Sequence, residues 1–500
     1  MSHQFKFNSL VTKLVFGASL LGSANAVLAK PYPPPFSWGP IWDFGAVGTG
    51  VSRTTKVATY RGYVALTGDF TGTNNFGSGP LSSTGLQVVN GFLAMYDGNA
   101  NPLWSKPFQG YGTSRNFNVT FDRNNNVIVT GYFAGWVNLD GHMLNAPANS
   151  IAALVAKYDV NGNYVWAQAF PYGRGLGLTV DSTDNILITG NVHGVADFGC
   201  GTINTGKSFN EPLPFLVKLN IQGACEWSQV FSDAGNTGNA ESGYVVAVDS
   251  SDNIILSGTF ATTINLGGGT LKTPYPPVAQ GIQSDQVFVA KYTPQGAYLW
   301  GQAFGKTYVY AENFAPDLTI DNRDNIVLTG AYKNGNYLGF GIYGVQNSDP
   351  TNSRSDIFAA KLDTDGNALW ARSFGGADFD IGYTVATLGD KIFISGSCNT
   401  PMTIGVACMN SSGSNFGQNS DIFVIQLDPY GNYVTAQTYG DTDNHNQIGT
   451  SLAAQKPLVS GIADNSALYL GGNFTYTLDF GLTPALNGTT YNSTFLVRLK

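Results

Sequence analysis

The chain has 500 residues, of which 62 are Gly; aromatics make up 13% and charged residues 12%. That content is too apolar and too aromatic for disorder, and no long window keeps a helical period, which leaves strands joined by tight turns. The first 29 residues hold two Lys and no acid, so the rest carries 23 basic against 33 acidic residues, a net −10 that argues against nucleic acid or an anionic membrane surface as partner.

In chain order, Lys6 and Lys13 precede an apolar core, Leu14 to Leu21, and a small-residue site at Ala24-Asn25-Ala26 or Val27-Leu28-Ala29. Residues 1–29 read as a secretory signal peptide whose apolar part is too short to span a membrane. No second apolar span follows, so the expected location is exported, periplasmic or extracellular at the cell surface. Lys30 to Phe36 is Pro-rich and reads as an extended lead-in. Trp38 to Gly45 then looks like a strand that has lost the turn before it.

That strand recurs. Trp104, Trp166, Trp227, Trp300 and Trp370 mark later copies, and Val434 takes the place in Tyr433-Val434-Thr435; counted from Trp42, the spacings are 62, 62, 61, 73, 70 and 64 residues. Between two markers the order is constant. A loop leads to a short strand ending in an Asp turn, as in Val119 to Asp122, Leu178 to Asp181, Val246 to Asp249 and Leu318 to Asp321. A second strand follows from Asn126, Asn185, Asn253 or Asn325. After a long loop comes a third strand, such as Phe215 to Leu219, and an Asp/Asn-Gly turn returns to the Trp strand. Four strands per unit form a meander, and repeated meanders close radially as a propeller. The last unit lacks its Trp strand; its strands are expected near Leu458 to Asp464, Ala467 to Asn473 and Thr494 to Lys500. The expected fold is therefore all-β, one seven-bladed β-propeller over 38–500, with 38–45 completing the last blade.

Two stretches carry a family resemblance. One is Val248-Asp249-Ser250-Ser251-Asp252-Asn253-Ile254 with Ser257-Gly258-Thr259-Phe260. The other is Ile357 to Asp363, running through Gly366-Asn367 to Trp370-Ala371. They resemble the seven-bladed beta-propeller (SBBP) repeat of exported and cell-surface bacterial and archaeal proteins. The resemblance covers nearly all of 38–500 and implies a fold and an exported location. That family has no common catalytic motif to carry over.

The repeated acids invite a metal reading. Asp363-x-Asp365-Gly366-Asn367 starts like a calcium loop, but Ala368-Leu369-Trp370 then enters a strand where further oxygen ligands are needed. These Asp residues are read as caps of their own turns, and no cofactor is expected. The Trp series is read as packing between blades. Cys200, Cys225, Cys398 and Cys408 form no metal signature. Each neighbouring pair falls inside one unit, which gives the disulfides Cys200–Cys225 and Cys398–Cys408.

Function is expected on the face bearing the variable loops, opposite the short turns. Acids on that face are Asp233, Glu241, Glu312, Asp317, Asp378 and Asp380. Aromatics there include Tyr111, Tyr172, Tyr244, Tyr308 and Tyr383. Asp441, Asp443 and His445 form one further acid–imidazole group, while His142 and His193 read as loop residues. Acids beside aromatics suit a sugar, and two acids from different blades could form a glycosidase pair. The candidate ligand residues are Tyr111, Tyr172, Glu241, Tyr308, Glu312, Asp378, Asp380, Asp441, Asp443 and His445. The leading expectation is a non-catalytic scaffold for a protein or glycan. A carbohydrate-active hydrolase or lyase and a structural cell-surface component are the alternatives.

Overall fold

The structure, a computed structural model, describes residues 38–44, 50–85, 87–232, 241–272, 285–307, 316–333, 354–399, 402, 408, 419–441, 445–455, 466–481, 485–488 and 492–499. The expected signal peptide and Pro-rich lead-in lie outside these residues.

Seven antiparallel four-stranded blades follow one another, each running from the channel outwards. Blade one comprises Val51–Tyr60, Tyr63–Thr71, Asn90–Asp97 and Pro102–Tyr111. Blade two is Ser114–Phe121, Val127–Ala134, Ile151–Tyr158 and Tyr164–Pro171. Blade three is Gly173–Val180, Ile186–Val192, Leu213–Leu219 and Cys225–Val230. Blade four is Ser242–Val248, Ile254–Phe260, Asp285–Tyr292 and Tyr298–Thr307. Blade five is Asp317–Ile320, Ile326–Lys333, Ser355–Leu362 and Ala368–Phe374. Blade six is Ile381–Leu388, Lys391–Cys398, Asp421–Leu427 and Tyr433–Tyr439.

Blade seven joins the two ends of the described chain. Gln447–Gln455, Ala467–Phe474 and Ser493–Leu499 come from the last unit, and Trp38–Phe44 pairs outside them with Trp42 opposite Leu496. The innermost strand corrects the sequence reading. It is Gln447–Gln455, upstream of Leu458–Asp464, a segment that lies outside the described residues. Its small and polar residues, Gly449-Thr450-Ser451, suit a channel wall and lack the Asp turn that marks units two to five.

The core lies between blades. The second and third strands of blade three are buried along their whole length. Leu187 and Leu216 of that blade pack with Val246, Leu256 and Phe288 of blade four. Strands covered on both faces read as continuous apolar runs, which is why their pattern does not alternate.

One buried polar device repeats through blades two to five. Lys157, Lys218, Lys291 and Lys361 of the third strands reach the turn aspartates Asp122, Asp181, Asp249 and Asp321 of their own blades at 2.8, 2.8, 2.9 and 2.6 Å. The same ammonium groups donate to carbonyls in the next blade's outer turn: Ile221, Pro294, Thr364 and Pro429. Every member is nearly buried, so the pair is held by geometry and by its extra hydrogen bonds rather than by solvent. The turn aspartates also accept backbone N–H groups. Asp249 Oδ1 takes those of Ser251 and Asn253 at 2.9 and 2.8 Å. Asp363 does the same for Asp365 and Asn367 at 3.0 and 2.8 Å, so its oxygens cap the turn.

The Trp residues dock outward onto the following blade. Trp370 is buried, whereas Trp104, Trp166, Trp227 and Trp300 are half-buried, less enclosed than a core residue. The indoles of Trp104, Trp166, Trp300 and Trp370 donate to carbonyls of the next outer turn at 2.9 to 3.2 Å. Each ring lies against that turn's glycine: a Cβ on Gly162 would sit 2.9 Å from Trp104, and Gly162 has φ +83°. The turn therefore requires Gly twice, for its backbone and for the ring above it.

The long loops are anchored too. Short hairpins, such as Trp136–Leu139 with His142–Asn145, leave the second strands. Trp136–Asn138 pairs with Gln109–Tyr111 of the preceding blade and covers its edge. The disulfides Cys200–Cys225 and Cys398–Cys408, with Cα atoms 5.6 and 6.2 Å apart, tie long loops to their own blades, as the sequence reading pairs them. Among the described residues no helix is long and apolar enough to cross a membrane.

The lysine bridges set a pH dependence. Burial alone would raise the Asp181 carboxyl, but the Lys218 ammonium and the turn N–H groups outweigh it and bring it to about 2 from 3.8. Asp249 and Asp321 are lowered by their lysine and amide partners in the same way. The Asp181 stabilisation is complete above pH 3.8 and is lost as pH falls towards 2, and those of Asp249 and Asp321 are lost in the same direction, on acidification. Lys291→Met leaves Asp249 buried beside no cation and should lower the unfolding free energy by about 3–5 kcal/mol at neutral pH. Denaturant unfolding from pH 7 to pH 2 checks both, and a variant as stable as the parent would contradict the bridge.

Candidate functional site

The loops before the inner strands and those after the second strands share one face, opposite the short turns. On that face the inner strands carry a common irregularity. In six blades one residue is extra to the ladder with the second strand: Thr55, Phe117, Leu176, Tyr244, Tyr383 and Thr450. A β-bulge turns its extra residue away from the regular alternation. All six, with Pro316 at the same place in blade five, line one cavity of about 430 Å³ at the channel mouth.

In four of the six, contact between blades requires a Gly just before the bulge, whereas Thr54 and Asn116 hold that place in blades one and two. Gly175, Gly243, Gly382 and Gly449 precede the extra residue, and a Cβ on any of them would collide with Thr130, Thr189, Thr329 or Ser395 of the preceding blade. Those hydroxyls donate to carbonyls of their own third strands at 2.6 to 2.8 Å and cannot swing aside freely.

Charge in the cavity is asymmetric. Arg53 and Lys56 come from blade one, and Asp317 from blade five is the one carboxylate among the described lining residues. Arg53 forks onto Asp69 through Nε and Nη2 at 2.9 to 3.1 Å. Lys56 Nζ reaches across the channel to Asp317 at 3.3 Å. Asp317 also accepts the Val385 N–H of blade six at 3.1 Å. This ion pair stands between the mouth and a second cavity of about 260 Å³ on the short-turn side, since both residues line both spaces.

A row of rings and cations leads from the mouth over blades two and three. Phe117 stacks on Tyr132 with centroids 5.8 Å apart. Arg174 lies 5.1 Å from the Tyr132 ring and 5.4 Å from that of Phe209. Phe209 meets His193 at 5.2 Å, and His193 meets Tyr172 at 5.6 Å. Burial, then the Arg174 charge, lowers the His193 pKa, so its ring is held neutral. Tyr111 stands 76% exposed at the rim beside Trp136.

The acid–imidazole group forms in part. His445 Nδ1 lies 2.6 Å from Asp441 Oδ2, which also accepts the Thr477 hydroxyl at 2.6 Å. The imidazole stacks on Tyr476 at 4.1 Å. Asp443, Tyr308, Glu312 and Asp233 lie outside the described residues. Asp378 pairs with Arg354 at 3.1 Å. Asp380 is buried and accepts the Gly376 and Asn399 N–H groups. Its carboxyl is pushed well up, first by burial and further by Asp356 and Asp378, against the pull of those amides. Glu241 is buried at the base of the loop entering blade four. His142 stacks on Tyr164 at 3.8 Å. Among the described residues no three His, Cys, Asp or Glu side chains converge as a metal site.

Sequence reasoning placed Tyr244, Tyr383 and Tyr172 on this face but did not find the bulge that presents the first two, nor Phe117 or the row through Arg174. The available signal was the recurrence of Gly two or three residues into four of the seven inner strands, in Gly175-Leu176, Gly243-Tyr244, Gly382-Tyr383 and Gly449-Thr450.

No protein-family model matches the chain. The uncharacterized WD repeat-containing protein L264 of Acanthamoeba polyphaga mimivirus is 26% identical over 305 residues, 57% of this chain and 17% of that protein. The chain thus spans about a sixth of that relative's length. Among solved structures, the Dos1 propeller is 11% identical with a TM-score of 0.41, covering 93% of this chain and 95% of its own. A protein of unknown function from Dyadobacter fermentans DSM 18053 is 9% identical with a TM-score of 0.40, covering 94% of this chain and 100% of its own. The chain's own strand pairing is what establishes the seven blades.

Proposed function

We propose that the protein is an exported, non-catalytic β-propeller that holds a protein or glycan on its long-loop face. The observation that carries this reading is a set of exposed apolar side chains on variable loops that hairpins and a disulfide pin to a rigid scaffold. Tyr111, Trp136, Met143, Val195, Phe209 and Tyr476 are 37–76% exposed and all belong to that face. Rigid aromatic anchors of this kind supply most of the energy in binding surfaces. Tyr172, Asp378, Asp441 and His445 stand with them as ligand contacts. Glu241 and Asp380, being buried, support the loops from beneath. The relative with WD repeats adds support for a protein partner. The signal-like N-terminus and the two disulfides support export.

One observation favours a second reading, a hydrolase or lyase. Asp441 orients the His445 imidazole, as the partner of a general base does. The described lining of the mouth, with Asp317 already bound to Lys56, offers no second carboxylate for a glycosidase pair.

The test is a screen of the full chain against a glycan array and candidate surface proteins, repeated with Trp136→Ala/Phe209→Ala. A ligand retained by the parent should bind the double variant at least about tenfold more weakly. Equal retention would contradict the long-loop face. Cleaved glycans that vanish with His445→Ala would replace binding with catalysis.

A further inference from the structure

The mouth of the channel has the dimensions and chemistry of a small-molecule site, distinct from the apolar rim. We propose that it is a subsite for one acidic sugar residue of the uronic acid class, at the end of a glycan or free; this rests on the long-loop-face reading above and names the ligand of its centre.

Four observations converge. The first is size. About 430 Å³ falls in the range of pockets that enclose a small ligand and suits one or two pyranose rings. The Lys56–Asp317 pair closes the inner side, so a chain end can enter and stop there. The second is the ring-shaped apolar wall. Bulges in blades two, four and six deliver Phe117, Tyr244 and Tyr383 to the cavity from different directions, and aromatic faces are what the C–H face of a sugar packs against.

The third is charge. Arg53 and Lys56 against Asp317 leave the described lining with a net +1, in a chain that is otherwise strongly acidic. Arg53 spends Nε and Nη2 on Asp69, and Nη1 makes no bond among the described residues. A guanidinium fixed by one carboxylate and still able to donate is well placed for a second. The fourth is the polar lining: Thr55, Thr450 and Asn492 stand beside the rings, and their hydroxyl and amide groups can accept from and donate to sugar hydroxyls. Carboxylate, hydroxyls and an apolar ring face occur together in a uronate. A neutral hexose lacks the first, and an apolar side chain of a protein partner lacks the first two.

The experiment is calorimetric titration of the full chain with methyl β-D-glucuronide and, separately, methyl β-D-glucoside. Variants are Tyr244→Ala, which leaves every cavity charge in place, and Arg53→Gln, each with its melting temperature recorded. The control is Leu103→Ala, an exposed residue on the outer strand of blade one, away from the mouth. The glucuronide should bind at least about tenfold more tightly than the glucoside, a preference that added salt reduces. Tyr244→Ala should lose about tenfold or more in affinity while remaining folded, and Leu103→Ala should keep it. Equal affinity for the two glycosides overturns the proposal, as does unchanged binding in Tyr244→Ala. Absence of saturable glucuronide binding, with an array ligand still retained by the rim, overturns the subsite and leaves the long-loop reading standing. If the array is blank as well, both fall.

Discussion

Adjacent blades approach so closely at the channel that one atom decides the local backbone. A buried hydroxyl on the second strand of one blade, Thr130, Thr189, Thr329 or Ser395, fills the space where the next inner strand would carry a Cβ. At these four joints Gly stands opposite it and the strand bulges immediately afterwards, while Thr54 and Asn116 hold the place in blades one and two. The contact seals the ring and turns the following side chain into the mouth. Scaffold and site are thus specified by the same few residues.

Farther out, the joints are polar. The lysine bridges of blades two to five connect the short turn of one blade to the outer turn of the next, and the Trp indoles reach the same turns. Where the lysine is replaced, by Met95 in blade one and Gln426 in blade six, the turn it would meet changes as well. Arg61-Gly62 and Gly389-Asp390 stand there in place of the Asp-capped loop. Removing both halves of a buried ion pair is tolerable, whereas removing one is costly. The short-turn face is therefore uniform through blades two to five. The mouth is not, since one equivalent position holds Thr, Phe, Leu, Tyr, Pro, Tyr and Thr around the ring.

This contrast explains what could be read in advance. Blade number, strand order and closure by Trp38–Phe44 were legible because Trp, Asp and turn Gly residues recur at a nearly fixed spacing, each for a local physical reason. The disulfide pairs were legible from their units. The inner strand of blade seven was not, because Gly449-Thr450-Ser451 has neither an apolar run nor an Asp turn. The site was legible only in outline. His445 and Asp441 are near in sequence and meet, but the bulge is a property of two strands together. A one-residue shift in register moves a side chain to the other face, and nothing in one strand alone announces it. The row joining Phe117, Tyr132, Arg174 and Phe209 likewise spans three strands and one loop of two blades.

The most direct test is a double-mutant cycle on the joint between blades three and four. Gly243→Ala should lower the unfolding free energy by about 1–3 kcal/mol, because the new methyl meets the Thr189 hydroxyl. Thr189→Ala removes that hydroxyl and frees the space. The pair together should therefore be more stable than the sum of the single losses by at least about 0.5–1 kcal/mol, measured by denaturant unfolding. Strictly additive losses would mean that the hydroxyl does not dictate the glycine, and with it the bulge and the mouth.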